Sequence, residues 1–505
     1  MPEIYRAFIY ITVMAIPTLL LARVATRSLV DAPEATLWRN CWFLTTCAVF
    51  LSGHFLIYAA LMVALSIYVH KRTEAPYYLY FVLLMTAPGV GYVFGIPGVA
   101  PLIIELNPSR LLVLVFLLPT ALRLAKAPRP AKYRAVDTLV AAYIFLIAIL
   151  SLRHASPTHT LRITLLVMVD IGLPYFVLSR CLVSTAGVRK ALAGFLFGLL
   201  PFAAAGIFEF LRGWRSYNSV IESWDVYLIQ AYLFRDGLLR AAVTAIEPIA
   251  FGFVCMVGVG FLLANMDAMK KRLAFWATAG LVAAGLAASL SRGPWLGAAI
   301  LLAIFAATTR RGVLNLAKLS AVVALLCVPL ALSPAGERIY RLLPFVGSVE
   351  KSNEEYRSKL IEVSSVIVSR NPLFGSYRYW DEPEMTSLIQ GQGIVDIVNT
   401  YVAVALEFGL VGLALFAGIF LMIGQILLRA CFRTQGSDAI LMRAMTATLA
   451  AILLTIGTVS SVSIIPYIYW SFAGLCVAAL RTLGTTVTGE ERHPLPKLTV
   501  LGYTR

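Results

Sequence analysis

The sequence predicts an all-α polytopic membrane protein of about 14 transmembrane helices with a helical cap on its outer face. Three observations predict it. Hydrophobic residues make up 60% of the 505 and charged residues only 13%, against about 45–50% and about 25% in a soluble domain. Mean hydropathy is +0.82. The apolar runs are rich in Leu, Ala, Val and Phe all round and lack the period-2 alternation of strands, so strands are not expected. This composition excludes a soluble enzyme, a disordered chain and a disulfide scaffold. The net charge of +16 would suggest nucleic acid in a soluble protein. Here the charges sit in short loops between apolar runs, where they set topology, so no nucleic-acid partner is expected. The seven cysteines show no C-x-x-C spacing, which leaves neither a disulfide frame nor a zinc site. The first apolar run reads as a span and not as a cleavable signal peptide.

The expected spans are roughly 5–24, 42–69, 77–95, 110–125, 135–152, 161–183, 190–211, 241–264, 273–290, 294–309, 314–333, 408–429, 442–462 and 464–481. With the N-terminus inside, the inner loops collect Lys71 and Arg72; Arg123, Lys126, Arg129, Lys132 and Arg134; Arg189 and Lys190; Lys270, Lys271 and Arg272; and Arg310 and Arg311. That is the basic bias of a cytoplasmic face, and it puts both termini there. The chain divides into an N-terminal bundle, 1–334, with an outer loop at 212–240; a large outer helical loop, 335–407; the C-terminal spans, 408–482; and a polar cytoplasmic tail, 483–505.

The two long outer segments carry most of the information. Structureless loops as long as 335–393 are uncommon and usually functional. Residues 350–370 have helical spacing, with Leu360, Val363, Ile367 and Val368 on one stripe, and Asn371-Pro372 and Gly375 end that helix. Residues 394–407 read as a short amphipathic helix leading into the next span. Segment 212–240 holds Trp214, Tyr217, Trp224, Tyr227 and Tyr232, residue types that favour the membrane interface.

Ionisable groups at membrane depth are costly, which makes them functional candidates. Arg240 and Glu247 flank the outer end of one span. Arg292 sits in the turn between two others. Arg357 lies in the loop helix, and Asp396 and Asn399 lie where the loop returns to the membrane. All fall on the outer face. Arginine presents five donors in a planar fork and keeps its charge, so a set of them suits phosphate oxygens. The plainer alternative is that each arginine caps carbonyls or snorkels to headgroups. Asp170, mid-span before Pro174, reads either as a proton or ion relay or as a hydrogen bond between helices. No nucleotide-binding loop and no metal-ligand spacing occur, so neither a cofactor nor a metal is expected.

Three patterns carry a family resemblance over roughly 230–415. Ser289-Leu290-Ser291-Arg292-Gly293-Pro294-Trp295-Leu296 resembles the S-R-G-x-W-L signature of the O-antigen ligase and polymerase superfamily. Arg235 to Arg240, then Glu247-Pro248 and Gly252, is similar to that family's R…G…P…G stretch. Tyr356-Arg357, Asn371-Pro372-Leu373-Phe374-Gly375, Asp396 to Tyr401 and Glu407-Phe408-Gly409 follow its order across the large loop.

The resemblance implies a membrane glycosyltransferase of the GT-C-like type in the bacterial inner membrane, working at the periplasmic face without metal. Its donor would be a glycan on undecaprenyl pyrophosphate, and its other partners membrane lipids, a chain-length regulator and a flippase. Many relatives carry a His directly before the motif Asn, but here that position is Val398. The departure points to a repeat-unit polymerase for O-antigen or exopolysaccharide ahead of a ligase. A lipid-linked oligosaccharide flippase is the alternative from another class. On this reading Arg240, Arg292 and Arg357 stabilise the leaving pyrophosphate. Asp396, or second Glu247, accepts the hydroxyl proton. Asn399 positions the glycan or the base, and Tyr356, Trp380 and Tyr401 pack against sugar rings.

Overall fold

The computed structural model describes residues 2–96, 100–125, 133–154, 156–226, 233–235, 237–309, 311–331, 351–389 and 395–485. Tyr227, Tyr232, the first part of the large outer segment, residues 390–394 and the tail 486–505 lie outside the described residues. The protein is an α-helical membrane bundle. Among the described residues, seven helices are long and apolar enough to cross a bilayer: Glu3–Ala25, Phe55–Arg72, Arg134–Arg153, Pro157–Cys181, Thr185–Arg212, Thr400–Arg433 and Gly436–Ile456. Shorter apolar helices, among them Pro248–Ala264, Arg272–Ala288 and Arg292–Ala307, complete the bundle.

Helices Thr185–Arg212 and Gly436–Ile456 are mostly buried and form the centre. Helix Thr185–Arg212 also fixes the two faces. At its start, Arg189 donates to Asp267 and to the Ala264 and Ser437 carbonyls. On the same inner side Arg180 and Arg481 share Asp137. Just beyond its end, Trp214 donates its indole N–H to Glu3 (2.6 Å). Helix Glu3–Ala25 therefore begins on the outer side. It finishes on the inner one, where Ser28 donates to the Ala268 carbonyl (2.5 Å).

This differs from the expectation that both termini share the cytoplasmic face. The apolar run expected as one span over 42–69 is two helices, Ala32–Leu51 and Phe55–Arg72, broken at Ser52–His54. Gly53 turns there with φ +63°, and His54 caps the second helix through the Leu56 N–H. One added crossing reverses the side of everything before it, so the first described helix begins on the face opposite the end of Ile465–Thr485. Arg23 and Arg27 thereby join the basic inner face, which strengthens the charge bias.

Other departures have local causes. The expected span 77–95 is helical only over Tyr77–Leu83. The chain continues buried and irregular to a hairpin, Tyr92–Ile96 with Ala100–Leu106, in register Tyr92↔Leu106 and Phe94↔Ile104. Strands were not expected here, but Pro88, Gly89, Gly91 and Gly95 break the helix. Irregular backbone at membrane depth is tolerated because protein surrounds it. Tyr217 and Trp224, expected at the membrane interface, are buried: Tyr217 packs on Phe50, and Trp224 on Phe55 and Tyr58.

Asp170 sits in a π-helical turn, Met168–Gly172. It accepts from Arg110 Nη2 (2.9 Å) and Nε and from the Tyr467 hydroxyl (2.9 Å). The hydrogen-bonding reading of that residue fits this geometry: a carboxylate ties three helical segments together.

Outside the bundle, helix Lys351–Arg370 forms as the stripe predicts. Leu360 and Ile367 are buried with Tyr379, Met385, Leu388, Ile397 and Leu406 in a second, smaller core. The return helix starts at Thr400, not near 394, and runs to Arg433 with a break at Gly409.

Candidate active site

The floor of the site is a strap, residues 240–247. Arg240, only 8% exposed, donates Nη2 to the Ser291 hydroxyl (2.9 Å) and Nε to the Ser289 carbonyl (3.3 Å). The Ala241 N–H donates to the Ala288 carbonyl (3.0 Å). These bonds lock the strap to the turn that carries the S-R-G motif. That turn is tight: Leu290 has φ +45°, and Arg235 donates to its carbonyl. Arg292 then opens helix Arg292–Ala307, where the exposed amides of a helix start favour anions.

The cap supplies the opposite wall. Arg357 Nη2 donates to the Thr458 carbonyl (3.1 Å). The Tyr356 hydroxyl donates to the Asp396 carbonyl (2.8 Å) and accepts from the Asp396 N–H (3.1 Å). Tyr356 thus holds the backbone of a candidate acid; it does not offer a free edge to a sugar. Asp396 Oδ1 accepts from the Ser460 hydroxyl at 2.5 Å.

Glu247 stands just before helix Pro248–Ala264, outside the span. Its carboxyl is pushed up to about 7, by burial first and then by the negative Asp396, against the pull of Arg240. The strap, the cap and the return segment therefore share one electrostatic neighbourhood, and a carboxyl poised near neutrality is the property expected of a general base. Among the described residues no group of three or more metal-ligating side chains occurs.

Sequence reasoning missed the element that joins these parts. The turn Gly457–Ser463 follows helix Gly436–Ile456. Its Thr458 meets Arg357 and closely approaches Gly293. The Val459 carbonyl accepts from Thr400 (3.1 Å), Ser460 holds Asp396, and Ser463 donates to the Ala245 carbonyl (3.0 Å). A run of small hydroxyl residues, T-V-S-S-V-S, between two spans was the available signal.

Several expected roles change. Asn399 caps helix Thr400–Arg433, its Oδ1 accepting from the Tyr401 and Val402 N–H groups (2.9 and 3.2 Å); its place is architectural. Tyr401 turns inward, donating to the Leu453 carbonyl (2.8 Å) with its ring against Phe416, so it does not present a sugar platform. Val398 packs against the cap core. Trp380 remains half exposed beside Tyr379.

The N-P-L-F-G stretch and the E-F-G stretch are two halves of one crossing. Leu410 and Val411 N–H groups donate to the Pro372 and Leu373 carbonyls, and Ser376 N–H donates to Leu406. Gly375 (φ +62°) and Gly409 (φ +68°) lie where a Cβ would meet the other strand's backbone at 2.5 and 2.4 Å. Arg153 clamps the crossing through the Phe374, Gly375 and Glu407 carbonyls.

Residues 277–417, from the helix before the S-R-G turn through the cap and into the return helix, match the family model described as O-antigen ligase. Over that segment the chain is similar to the O-antigen ligase family. No individual curated protein matches it. The superfamily match takes in Arg292, Tyr356, Arg357, Asp396, Asn399 and Tyr401. Arg240, Glu247 and the Gly457–Ser463 turn lie outside it and reach the same site through the fold.

Proposed function

We propose that the chain polymerises undecaprenyl-pyrophosphate-linked repeat units into a surface polysaccharide at the periplasmic face of the inner membrane. The basic face is then cytoplasmic, with the end of Ile465–Thr485 on it, and helix Glu3–Ala25 begins in the periplasm. The observation that carries the reading is Glu247, a half-buried carboxyl on the face covered by the cap, pushed up to about 7 by desolvation and Asp396 against the pull of Arg240.

The acceptor hydroxyl gives its proton to Glu247 as its oxygen bonds the donor's anomeric carbon. The anomeric carbon–oxygen bond to phosphate breaks, and the pyrophosphate leaves with the electron pair. Arg240, Arg292 and Arg357 take up the charge that develops there. Asp396, held in place by Ser460, keeps Glu247 basic by like-charge repulsion. The order of the two carboxylates is thus the reverse of the one suggested by the motif alone.

A second reading, transfer of finished glycan to a lipid acceptor, is favoured by the ligase description of the matching family. Val398 in the motif position weighs against it. The experiment is glycan length in a deletion strain complemented with wild type or Arg292→Ala. Single repeat units that accumulate without Arg292 support polymerisation. Full-length chains retained on the carrier identify a ligase, and repeat units trapped inside identify a flippase.

A further inference from the structure

Glu209 belongs to no motif, yet it is a buried carboxylate, 1% exposed, at the outer end of the central helix Thr185–Arg212. Its Oε1 accepts from the Ser216 N–H (2.9 Å) and hydroxyl (2.8 Å). Its Oε2 accepts from the Ala242 and Val243 N–H groups (3.2 and 2.9 Å). Six residues along, Arg215 is 7% exposed and donates Nη2 to the Ile246 carbonyl (3.3 Å). Glu209 and Arg215 therefore grip the two ends of the strap that runs from Arg240 to Glu247.

The strap needs gripping. Val243 (φ +49°) and Ile246 (φ +69°) are β-branched residues in the left-handed region, a strained conformation that persists only where the surroundings over-determine it. The surroundings do so. Besides the two strap amides bonded to Glu209 and the one bond from Arg215, the Gly89 N–H donates to the Thr244 carbonyl, the Thr244 hydroxyl to the Met85 carbonyl, and Ser463 to the Ala245 carbonyl. Glu209 is the strongest of these contacts, because hydrogen bonds to an ionised acceptor are about twice as strong as neutral ones.

We propose that Glu209, assisted by Arg215, is a positioning residue that holds the strap so that Arg240 and Glu247 face the same reacting centre. The proposal rests on the reading of Glu247 as the base. Neither clamp residue touches substrate. An amide at 209 keeps the shape but supplies one acceptor oxygen where two are used, so one end of the strap is released.

The test uses membranes of the deletion host carrying full-length variants, with that host's own extracted lipid-linked repeat units as donor. Glu209→Gln is expected to lower kcat about 100-fold, the scale of a displacement of about 1 Å in a catalytic group. It should leave KM within a few-fold and move the midpoint of the pH–rate profile. Wild-type kcat and midpoint, or a loss confined to KM, would overturn the proposal. If Glu209→Gln does not reach the membrane, Arg215→Lys decides: a displaced midpoint supports the clamp, and an unmoved one ends it. Glu247→Gln, measured alongside, keeps the two readings apart. Retained turnover there removes the base, whereas an inactive Glu247→Gln beside a wild-type Glu209→Gln removes only the clamp.

Discussion

Asp170 and Glu247 are both acids that composition alone would call expensive, and the fold treats them in opposite ways. Asp170, within a span, is surrounded by donors: the Arg110 fork, the Tyr467 hydroxyl and a π-turn that aims it at both. Glu247, at the outer rim, receives no side-chain hydrogen bond from the described residues, and the charges that act on it are Asp396, which raises its affinity for a proton, and Arg240, which lowers it. A carboxylate with all its donors supplied is held. One left between a like and an opposite charge is free to exchange a proton. The contrast teaches that depth in the membrane does not mark function; the balance of partners does.

The sharpest way to break the comparison is Glu247→Gln. As general base it should contribute about 10²–10⁴-fold to turnover, read as repeat-unit consumption at wild-type protein level. A loss under threefold would mean that Glu247 is as structural as Asp170. In the wild type, only ionised Glu247 can accept the proton, so activity should fall as pH drops through about 7. Asp396→Asn removes the like charge and so should move that midpoint to lower pH. Movement upward would contradict the assignment. Next in size is Arg292→Ala. Removing one preorganised donor from a site of developing charge costs about 10²–10³ in kcat, and polymer of normal length from this variant would rule out the arginine site. Asp170→Asn tests the other side of the contrast. The pair is half-buried, and losing its hydrogen bonds to a charged group costs about 1.5–3 kcal/mol, so protein level and thermal stability should fall while turnover per surviving molecule stays the same. A turnover loss at normal level would revive an ion-relay role.

The architecture was legible where one physical rule dominated. Apolar length gave the helices, and the Leu360–Ile367 stripe gave the cap helix. The ordered motifs picked out Arg292, Asp396 and Gly409 as residues, but not the crossing that Gly409 makes with Gly375. Legibility failed where two structures share one composition. Run 42–69 is apolar throughout, and only Gly53 and His54 mark the break that reverses the first helix. The buried aromatics Tyr217 and Trp224 look the same in sequence as interfacial ones. Asn399 and Tyr401 sat in the right motif, but a cap and an inward hydroxyl are set by local geometry that a residue type does not encode. Glu209 and Ser460 were invisible because their importance lies in contacts across long sequence separations: 33 and 34 residues from Glu209 to the Ala242 and Val243 amides, and 64 from Ser460 to Asp396.

Ser460 also supplies the finest test of the contrast. Its hydroxyl donates to Asp396 Oδ1 at 2.5 Å, and a hydrogen bond to a charged group contributes about 1.5–3 kcal/mol. Ser460→Ala leaves the backbone of the Gly457–Ser463 turn in place, since the Thr458 and Val459 carbonyls still meet Arg357 and Thr400. Asp396 then loses the donor that fixes its Oδ1, so its carboxylate is less firmly placed beside Glu247 and raises that group's proton affinity less. The pH–rate midpoint should therefore drop in the same direction as in Asp396→Asn but by less, with only a several-fold change in kcat. The ordering is the informative part. A midpoint shift larger than that of Asp396→Asn would show that Ser460 acts on Glu247 by a path other than Asp396. No shift would show that Asp396 keeps its place beside Glu247 without the serine, and that the like charge and burial together still separate Glu247 from the well-partnered acid in the span.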